Sequence, residues 1–283
     1  DGLEEAGVPA MVYAVTGEPS VESVTAGVEQ AKAAGADVIV AVGGGSVIDT
    51  GKAVAALSTN RRPIMDYLEV VGQGIPLTEP SMPLIAAPTT AGTGAEVTRN
   101  AVIKVPEERV KVSLRSATMM PAAAVVDPEL TLTVPPNVTA STGLDALTQC
   151  IEPYVSCQSN PLTDGIAREG MQRAARSLRR AYEDGQDLAA RTDMAIASLF
   201  GGLALANAKL GAVHGFAAVL GGMYPAPHGV VCASLLPFVM ETNVAALQAR
   251  KPDSPLLPRF DEAARLVTGD AGATAADGVV WIQ

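Results

Sequence analysis

Aromatic side chains are scarce in this sequence: four Phe, five Tyr and one Trp among 283 residues. A core with so few rings has to be filled by Ala, Val, Leu, Ile and Met, and a hydrophobic content of 48% supplies them. Cysteine is nearly absent too, with three residues at positions 150, 157 and 232. An odd count without a CxxC spacing excludes a disulfide framework and fits reduced thiols in the cytoplasm. Positive charge is the third shortage. Twenty Lys and Arg face thirty Asp and Glu, a net charge of −10, which argues against a nucleic-acid partner, since a phosphate-backbone binder needs clustered bases. The nearest basic cluster, Arg173, Arg176, Arg179 and Arg180, reads as a solvated helix face. No unbroken apolar run reaches the ~18 residues that suggest a membrane span, so no membrane partner is expected. The first residues, Asp1-Gly2-Leu3-Glu4-Glu5, lack the basic-then-apolar pattern of a signal peptide. There is no initiator Met, so residue 1 need not be the natural start.

The length suits one large domain or two ordinary ones, and the texture of the chain favours two. Up to about residue 134, strand-like and helix-like pieces alternate, the pattern of a parallel α/β sheet. Met11 to Val15 reads as a short strand, Val21 to Ala34 as a helix ending at Gly35, and Asp37 to Val42 as a strand covered on both faces. Val47 to Leu57 reads as a helix, Pro83 to Ala87 as a strand, and Val125-Val126-Asp127 as the end of another. From Pro135-Pro136 onwards the chain becomes Ala- and Leu-rich and helical. Expected helices run from about Thr139 to Ser156, Asn160-Pro161 to Asp184, Asp187 to Lys209, Val230 to Asn243 and Leu257 to Val267. Asn160 followed by Pro161 is a cap with proline at the first helical position. The predicted division is 1–134, an α/β dinucleotide-binding domain, and 135–283, an all-α metal-binding domain.

Two turns attract attention. Gly43-Gly44-Gly45-Ser46 lies between a strand and a helix. Glycines let a backbone approach a diphosphate closely, and the free N–H groups of the helix start point at the anion. Ser46 can cap that helix or donate to a phosphate. The spacing is not GxGxxG, so the ordinary dinucleotide fingerprint does not apply. The second turn, Pro88 to Thr98, offers hydroxyls at Thr89, Thr90, Thr93 and Thr98 and amides freed by Gly92 and Gly94. Taken singly, each turn reads equally well as an ordinary loop. Two such loops at the ends of parallel strands would form one crevice.

Histidine is the scarcest chemistry-bearing residue, with only His214 and His228, each flanked by glycine in an apolar stretch. Asp145 lies on an apolar helix with Gln149 four residues on, hence on the same face. A carboxylate there is costly to bury unless it is hydrogen-bonded, paired or bound to a metal. Asp145 with both histidines makes a 2-His-1-carboxylate set suited to Fe(II) or Zn(II). An Asp satisfied by neighbouring hydrogen bonds is the other reading.

Together the segments GGGSVIDTGKA (43–53), PTTAGTGAEVT (88–98), VVDPEL (125–130), GLDALTQCIEPYVS (143–156) and AVHGFAAVLGGMYPAPHG (212–229) resemble the iron-containing alcohol dehydrogenase family. The resemblance covers essentially the whole chain. It implies a Rossmann-like N-terminal α/β domain, an all-helical C-terminal domain of the dehydroquinate synthase-like type and an active site in the cleft between them. By resemblance, Gly43, Gly44, Gly45 and Ser46 hold the diphosphate of NAD or NADP, and Thr89, Thr90 and Thr93 line the nucleotide path. Asp49 matches a polar position on the helix after the glycines, and Lys111 a lysine near the nicotinamide ribose. Asp145, His214 and His228 match three ligands of a catalytic Fe(II) or Zn(II). The implied reaction is hydride transfer between a small alcohol and NAD(P), catalysed by a homo-oligomer.

Two positions depart from the pattern. Gln149 stands where many members carry a fourth ligand His, and an amide oxygen can coordinate but is a poorer donor for a borderline ion. Ala218 stands where many members carry another His, which removes a proton relay. The chain also looks shorter than full-length members at both ends. Three other readings stay open: a maleylacetate reductase, a dehydroquinate synthase-like lyase that uses NAD transiently, and a degenerate cofactor-binding shell without activity.

Overall fold

A computed structural model of the chain describes residues 2–283, so Asp1 of the leading segment lies outside the described residues. After a short helix α1 (Gly2–Glu5), residues 11–15 run without strand pairing. This corrects the strand expected there: Met11 and Val12 are exposed, and Tyr13 is the anchor, donating its hydroxyl to the Ser23 carbonyl at 2.6 Å. Helix α2 (Val21–Ala33) starts at Ser20, whose hydroxyl accepts from the Ser23 amide in a capping box. It gives way to Gly35, at a φ of 63°, a left-handed conformation that glycine adopts without strain.

The sheet follows. Strand β1 (Ile39–Gly43) leads through helix α3 (Gly45–Thr59) and the short α4 (Ile64–Tyr67) to β2 (Leu84–Pro88). β1 and β2 are parallel, with Ile39 opposite Leu84 and Gly43 opposite Pro88. That register sets the C-terminal ends of both strands side by side, so the two candidate turns leave the sheet next to one another. An antiparallel hairpin, β3 (Asn100–Val105) and β4 (Val110–Arg115), intervenes before the short β5 (Ala123–Ala124) joins the far side of β2. The hairpin was not anticipated.

Expected to be covered on both faces, β1 is covered on one. Gly51 of α3 packs directly on Ala41, while Val40 and Val42, pointing the other way, are 50% and 56% exposed. The reason lies in the layering: α2 packs against α3 instead of over the opposite face.

Beyond Pro135 the chain is helical: α5 (Pro136–Tyr154), α6 (Pro161–Glu183), α7 (Leu188–Ala208), α8 (Ala212–Met223), α9 (His228–Arg250), α10 (Leu257–Thr268) and α11 (Ala275–Ile282). Asn160 caps α6 as its sequence demands, accepting from the Leu162 and Thr163 amides. α8 and α11 were not expected, and α9 runs seven residues past its expected end. α7 and α9 are long and apolar enough by composition to cross a membrane. Here α5, α6 and α7 pack against one another, and α9 against α5. The helical core contains Leu147, Ile151, Met171, Met194 and Leu236 beside many alanines. Small side chains let the helices approach closely: a Cβ on Gly170 would come within 2.5 Å of Cys150 Sγ.

The basic cluster on α6 turns out to be a clasp. Arg176 makes two 2.7 Å hydrogen bonds to Asp193 of α7, Arg173 makes a third, and the Ser177 hydroxyl donates a fourth at 2.6 Å. Arg180 pairs with Asp187. The hydrogen bond from Arg176, outweighing burial and helped by Ser177 and Arg173, lowers the Asp193 pKa to about 2. A carboxylate depressed in the folded state stabilises the fold above its unfolded pKa near ~3.9, and that contribution fades as pH falls towards the folded value. Asp193→Asn is therefore expected to cost roughly 1–2 kcal/mol near neutral pH, after allowance for screening of the exposed arginines. Calorimetric melting from pH 6 down to 2 should show the parent and the variant converging between about pH 4 and 2.

Candidate metal centre and adjoining anion cradle

The centre is built on α5. Asp145 and Gln149 are one turn apart, and both are buried to within 2% exposure. Gln149 Nε2 donates to Asp145 Oδ2 at 2.8 Å and to the Gly92 carbonyl at 3.3 Å. This fixes the plane of the carboxylate and leaves its other oxygen, Oδ1, aimed at His214 and His228. His214 Nε2 lies 3.3 Å from Oδ1 and His228 Nε2 lies 3.6 Å from it, with the two rings 5.4 Å apart between centroids. The sequence expectation that one carboxylate and two distant imidazoles converge is met in this geometry.

Three buried polar atoms here have no hydrogen-bond partner: Asp145 Oδ1, Gln149 Oε1 and His214 Nε2. Leaving one such atom unpaired costs on the order of 1–3 kcal/mol, and more for a charged group. Three together mark a place prepared for an electrophile. The donor chemistry fits a divalent transition metal, since carboxylate and imidazole both suit Fe(II) and Zn(II). Protonation matches a cation at two of the three residues. Burial works against the charge on Asp145, yet the two imidazoles close to it, His214 first, hold its pKa below the usual carboxylate value. Burial lowers the pKa of His228, favouring neutral imidazole. His214 is pushed the other way: burial opposes its charge, but Asp145, Cys232 and Glu152 around it raise its pKa well above the ordinary value, so a cation would have to displace a proton there.

Glu152 was missed at the sequence level. It is 2% exposed and lies on the same face of α5, seven residues after Asp145. Its Oε2 meets His214 Nδ1 at 2.7 Å, and its Oε1 accepts the Val213 amide at 2.8 Å. One carboxylate thus satisfies a free N–H of the first turn of α8 and orients the imidazole that α8 carries. Gly211 is needed beside it, because a Cβ there would lie 2.6 Å from Glu152 Oε1. The spacing 145, 149, 152 was the available signal. Cys232 also belongs to the cluster: its sulfur joins Asp145, His214 and His228 in a set of four donor atoms, all within 4.8 Å of one another.

The two turns at the sheet edge adjoin as expected. Thr89 donates its amide to the Gly43 carbonyl at 2.9 Å, Gly44 faces Thr90, and a Cβ on Gly45 would come within 2.7 Å of Thr93 Oγ1. α3 begins here, with Gly44 as its cap. Ser46 sits inside the first turn and does not cap, which leaves its hydroxyl for the other expected task. The opening turn of a helix lined by glycines and threonine hydroxyls is a cradle for an anion.

The remaining residues sort as follows. Thr98, expected to offer a hydroxyl, turns inwards, donating to the Ala95 carbonyl and accepting from the fully buried Lys52 at 2.8 Å. Lys52 also reaches Asp49 at 3.3 Å, and Asp49 Oδ2 accepts the Val102 amide at 2.9 Å. The structure thus places Asp49 at the joint between α3 and β3, near enough for the charge of His228 to act on it. Lys111 on β4 pairs with Glu18 at 2.5 Å and lies against Gly221 of α8, so that its charge also reaches His228. Ala218 sits on the same helix as His214.

With this geometry described, the comparisons with known proteins become informative. The family model "Iron-containing alcohol dehydrogenase" matches residues 1–128, and "Fe-containing alcohol dehydrogenase family, C-terminal" matches residues 139–279. The chain belongs to the iron-containing alcohol dehydrogenase family. It is 45% identical over 250 residues to alcohol dehydrogenase 4 of Saccharomyces cerevisiae, covering 88% of this chain but 64% of that relative's length. The solved alcohol dehydrogenase of Oenococcus oeni superposes with a TM-score of 0.88 at 39% identity, covering 99% of this chain and 70% of that one. Sulfoacetaldehyde reductase of Bifidobacterium kashiwanohense, solved in complex with NAD+, superposes with a TM-score of 0.85 at 32% identity, covering 97% and 71%.

Glu152→Gln is expected to weaken divalent-metal affinity by about 10–100-fold, the usual effect of losing the carboxylate behind a ligating histidine. Competition with a chromophoric chelator measures this directly.

Proposed function

We propose that this chain forms the catalytic parts of a nicotinamide-linked dehydrogenase that interconverts a small alcohol and its aldehyde or ketone. The observation that carries the reading is the trio of buried, unpartnered atoms, Asp145 Oδ1, Gln149 Oε1 and His214 Nε2, beside a glycine cradle at the ends of β1 and β2. When bound, a divalent cation polarises the substrate oxygen and the nicotinamide exchanges hydride with the substrate carbon.

The protein's own residues do the placing. Asp145, His214 and His228 hold the cation, Fe(II) or Zn(II), with Gln149 fixing Asp145 and Glu152 fixing His214. Gly43, Gly44, Gly45 and Ser46 take the diphosphate of NAD(H) or NADP(H), and Thr89, Thr90 and Thr93 line the path onwards. Gly92 connects the two halves: its carbonyl accepts from Gln149 while its backbone lies against Thr142 of α5. Cradle and metal ligands are thereby kept at a fixed separation, which is what positioning a carbon against a nicotinamide requires. Lys111, beside Gly221 of α8 and with its charge reaching His228, takes the nicotinamide ribose in this reading. The acidic surface and the buried or unpaired cysteines support a cytoplasmic enzyme of small molecules without nucleic-acid or membrane partners. Exposed apolar side chains such as Phe216, Val219 and Phe238 support assembly into a homo-oligomer.

The test is an alcohol panel with NAD+ and NADP+ on metal-loaded protein, following the absorbance of the reduced nicotinamide. Net reduction of the cofactor by a simple alcohol is expected, and a lyase using the cofactor transiently would give none. Chelation should abolish turnover while leaving cofactor affinity within about twofold. Metal-free protein that reduced an aldehyde at the full rate would overturn the reading. For the cradle, Gly45→Ala brings a Cβ onto Thr93 and is expected to weaken cofactor binding by about tenfold or more, with the circular dichroism unchanged. Fluorescence titration with the reduced cofactor checks it.

A further inference from the structure

Cys232 has no task in the reaction described above. α9 begins at His228, so Cys232 stands one turn further along and on the same face. It is fully buried in the helical core, which is ordinary for a cysteine, but its sulfur also meets polar groups there. Cys232 Sγ lies 3.6 Å from His228 Nε2 and shares a 4.8 Å cluster with Asp145 and His214.

The spacing within that cluster is informative. A tetrahedral ion with bonds of about 2.0 Å to N and O and about 2.3 Å to S holds its donors roughly 3.3–3.7 Å apart. The three separations in hand are 3.3 Å for His214–Asp145, 3.6 Å for His228–Asp145 and 3.6 Å for Cys232–His228. These three of the six separations fall inside that interval, and the others stay within 4.8 Å. Two of the atoms involved, Asp145 Oδ1 and His214 Nε2, are also buried without partners.

We propose that Cys232 is the fourth protein ligand of this metal centre, making it an Asp–His–His–Cys site that prefers Zn(II) to Fe(II). The inference rests on the metal-centre reading above and adds a donor to it. On coordination the S–H bond breaks, its proton leaves to solvent, and a sulfur–metal bond forms with no change of oxidation state. Gln149 keeps a separate part: its amide nitrogen is committed to Asp145 and Gly92, so it holds the carboxylate in place. Two consequences follow from exchanging a neutral donor for a thiolate. Asp145 and Cys232 together cancel the charge of a divalent ion, where one carboxylate with neutral donors leaves +1. A soft thiolate also favours Zn(II) over the harder Fe(II). The substrate oxygen then enters as a fifth donor, an expansion that zinc tolerates.

The experiment loads the full chain separately with Zn(II) and Co(II) and reads the metal, not turnover. X-ray absorption at the zinc edge is expected to show one sulfur at about 2.3 Å beside N/O donors at about 2.0–2.2 Å. The Co(II) protein is expected to show sulfur-to-cobalt charge-transfer absorption in the near ultraviolet. Cys232→Ser should remove both signals and lower zinc affinity by about tenfold or more, with a smaller effect on Fe(II). One metal per chain with only N/O donors would overturn the proposal and leave the metal centre standing. Retention of the sulfur signals in Cys232→Ser would overturn it too. Failure to bind stoichiometric metal at all would remove the centre itself and the proposal with it. If the variant misfolds, the wild-type spectra decide alone.

Discussion

A carboxylate sealed inside a helical core, bonded at one oxygen and bare at the other, sets the terms for the rest of this molecule. Asp145 is 1% exposed, and an isolated charge at such a depth costs far more than a domain can spare. Gln149 satisfies Oδ2 from within the same helix, but Oδ1 draws its compensation from elements far away in sequence. His214 arrives on α8 and His228 at the start of α9, and each has to be delivered to within 4 Å. The layout of the helical half can be understood as the means of delivering them. Glu152 seats α8, and the residue that caps the helix is Gly211 because that carboxylate occupies the place of a side chain.

The sheet half is tied to this centre through backbone contacts more than through side chains. Gly94, at a φ of 58°, lies so close to Gly202 of α7 that no Cβ fits on either partner. Gly92 rests on α5 in the same manner, and Gly222 of α8 on the β4 backbone. Contacts without side chains have no rotamers to adjust, so the loop after β2 holds the glycine turn at a fixed place relative to Asp145 and Gln149. Lys52 secures the far end of that loop through Thr98, and this explains a fully buried lysine in a helix that otherwise packs alanines.

Much of this was legible in the sequence, and the parts that were not share a cause. The cap at Asn160, the glycine turn after β1 and the threonine turn after β2 could be read because each follows from local rules within a few residues. Asp145, His214 and His228 stood out through scarcity: two histidines in the whole chain, and an aspartate in a helix whose only other charged residue is Glu152. Glu152 and Cys232 did not, because a buried Glu or Cys earns its meaning from a partner some 60 or 90 positions away. The helix carrying His214 escaped notice because its glycines lower helix propensity, and packing against α9 and β4 overrides that deficit. The half-exposed face of β1 escaped for the opposite reason: an unbroken apolar run states what a strand would tolerate, not what lies over it.

Two residues after Glu152, the same helix ends in a clamp. The guanidinium groups of Arg168 and Arg259 lie over the Tyr154 ring, 5.0 and 4.1 Å from its centroid, and its hydroxyl meets Glu262 at 2.5 Å. Burial first, then Glu262, pushes that phenol up to about 12, so it remains a donor throughout the physiological range. Arg259 also takes the Tyr154 carbonyl and Asp164. The last turn of α5 is therefore gripped from behind by α6 and α10 at a point half a helical turn from the carboxylate that aims His214. That rear grip and the seat of the His214 imidazole therefore share one helix end, so the distal helices α6 and α10 help to set where α5 stops.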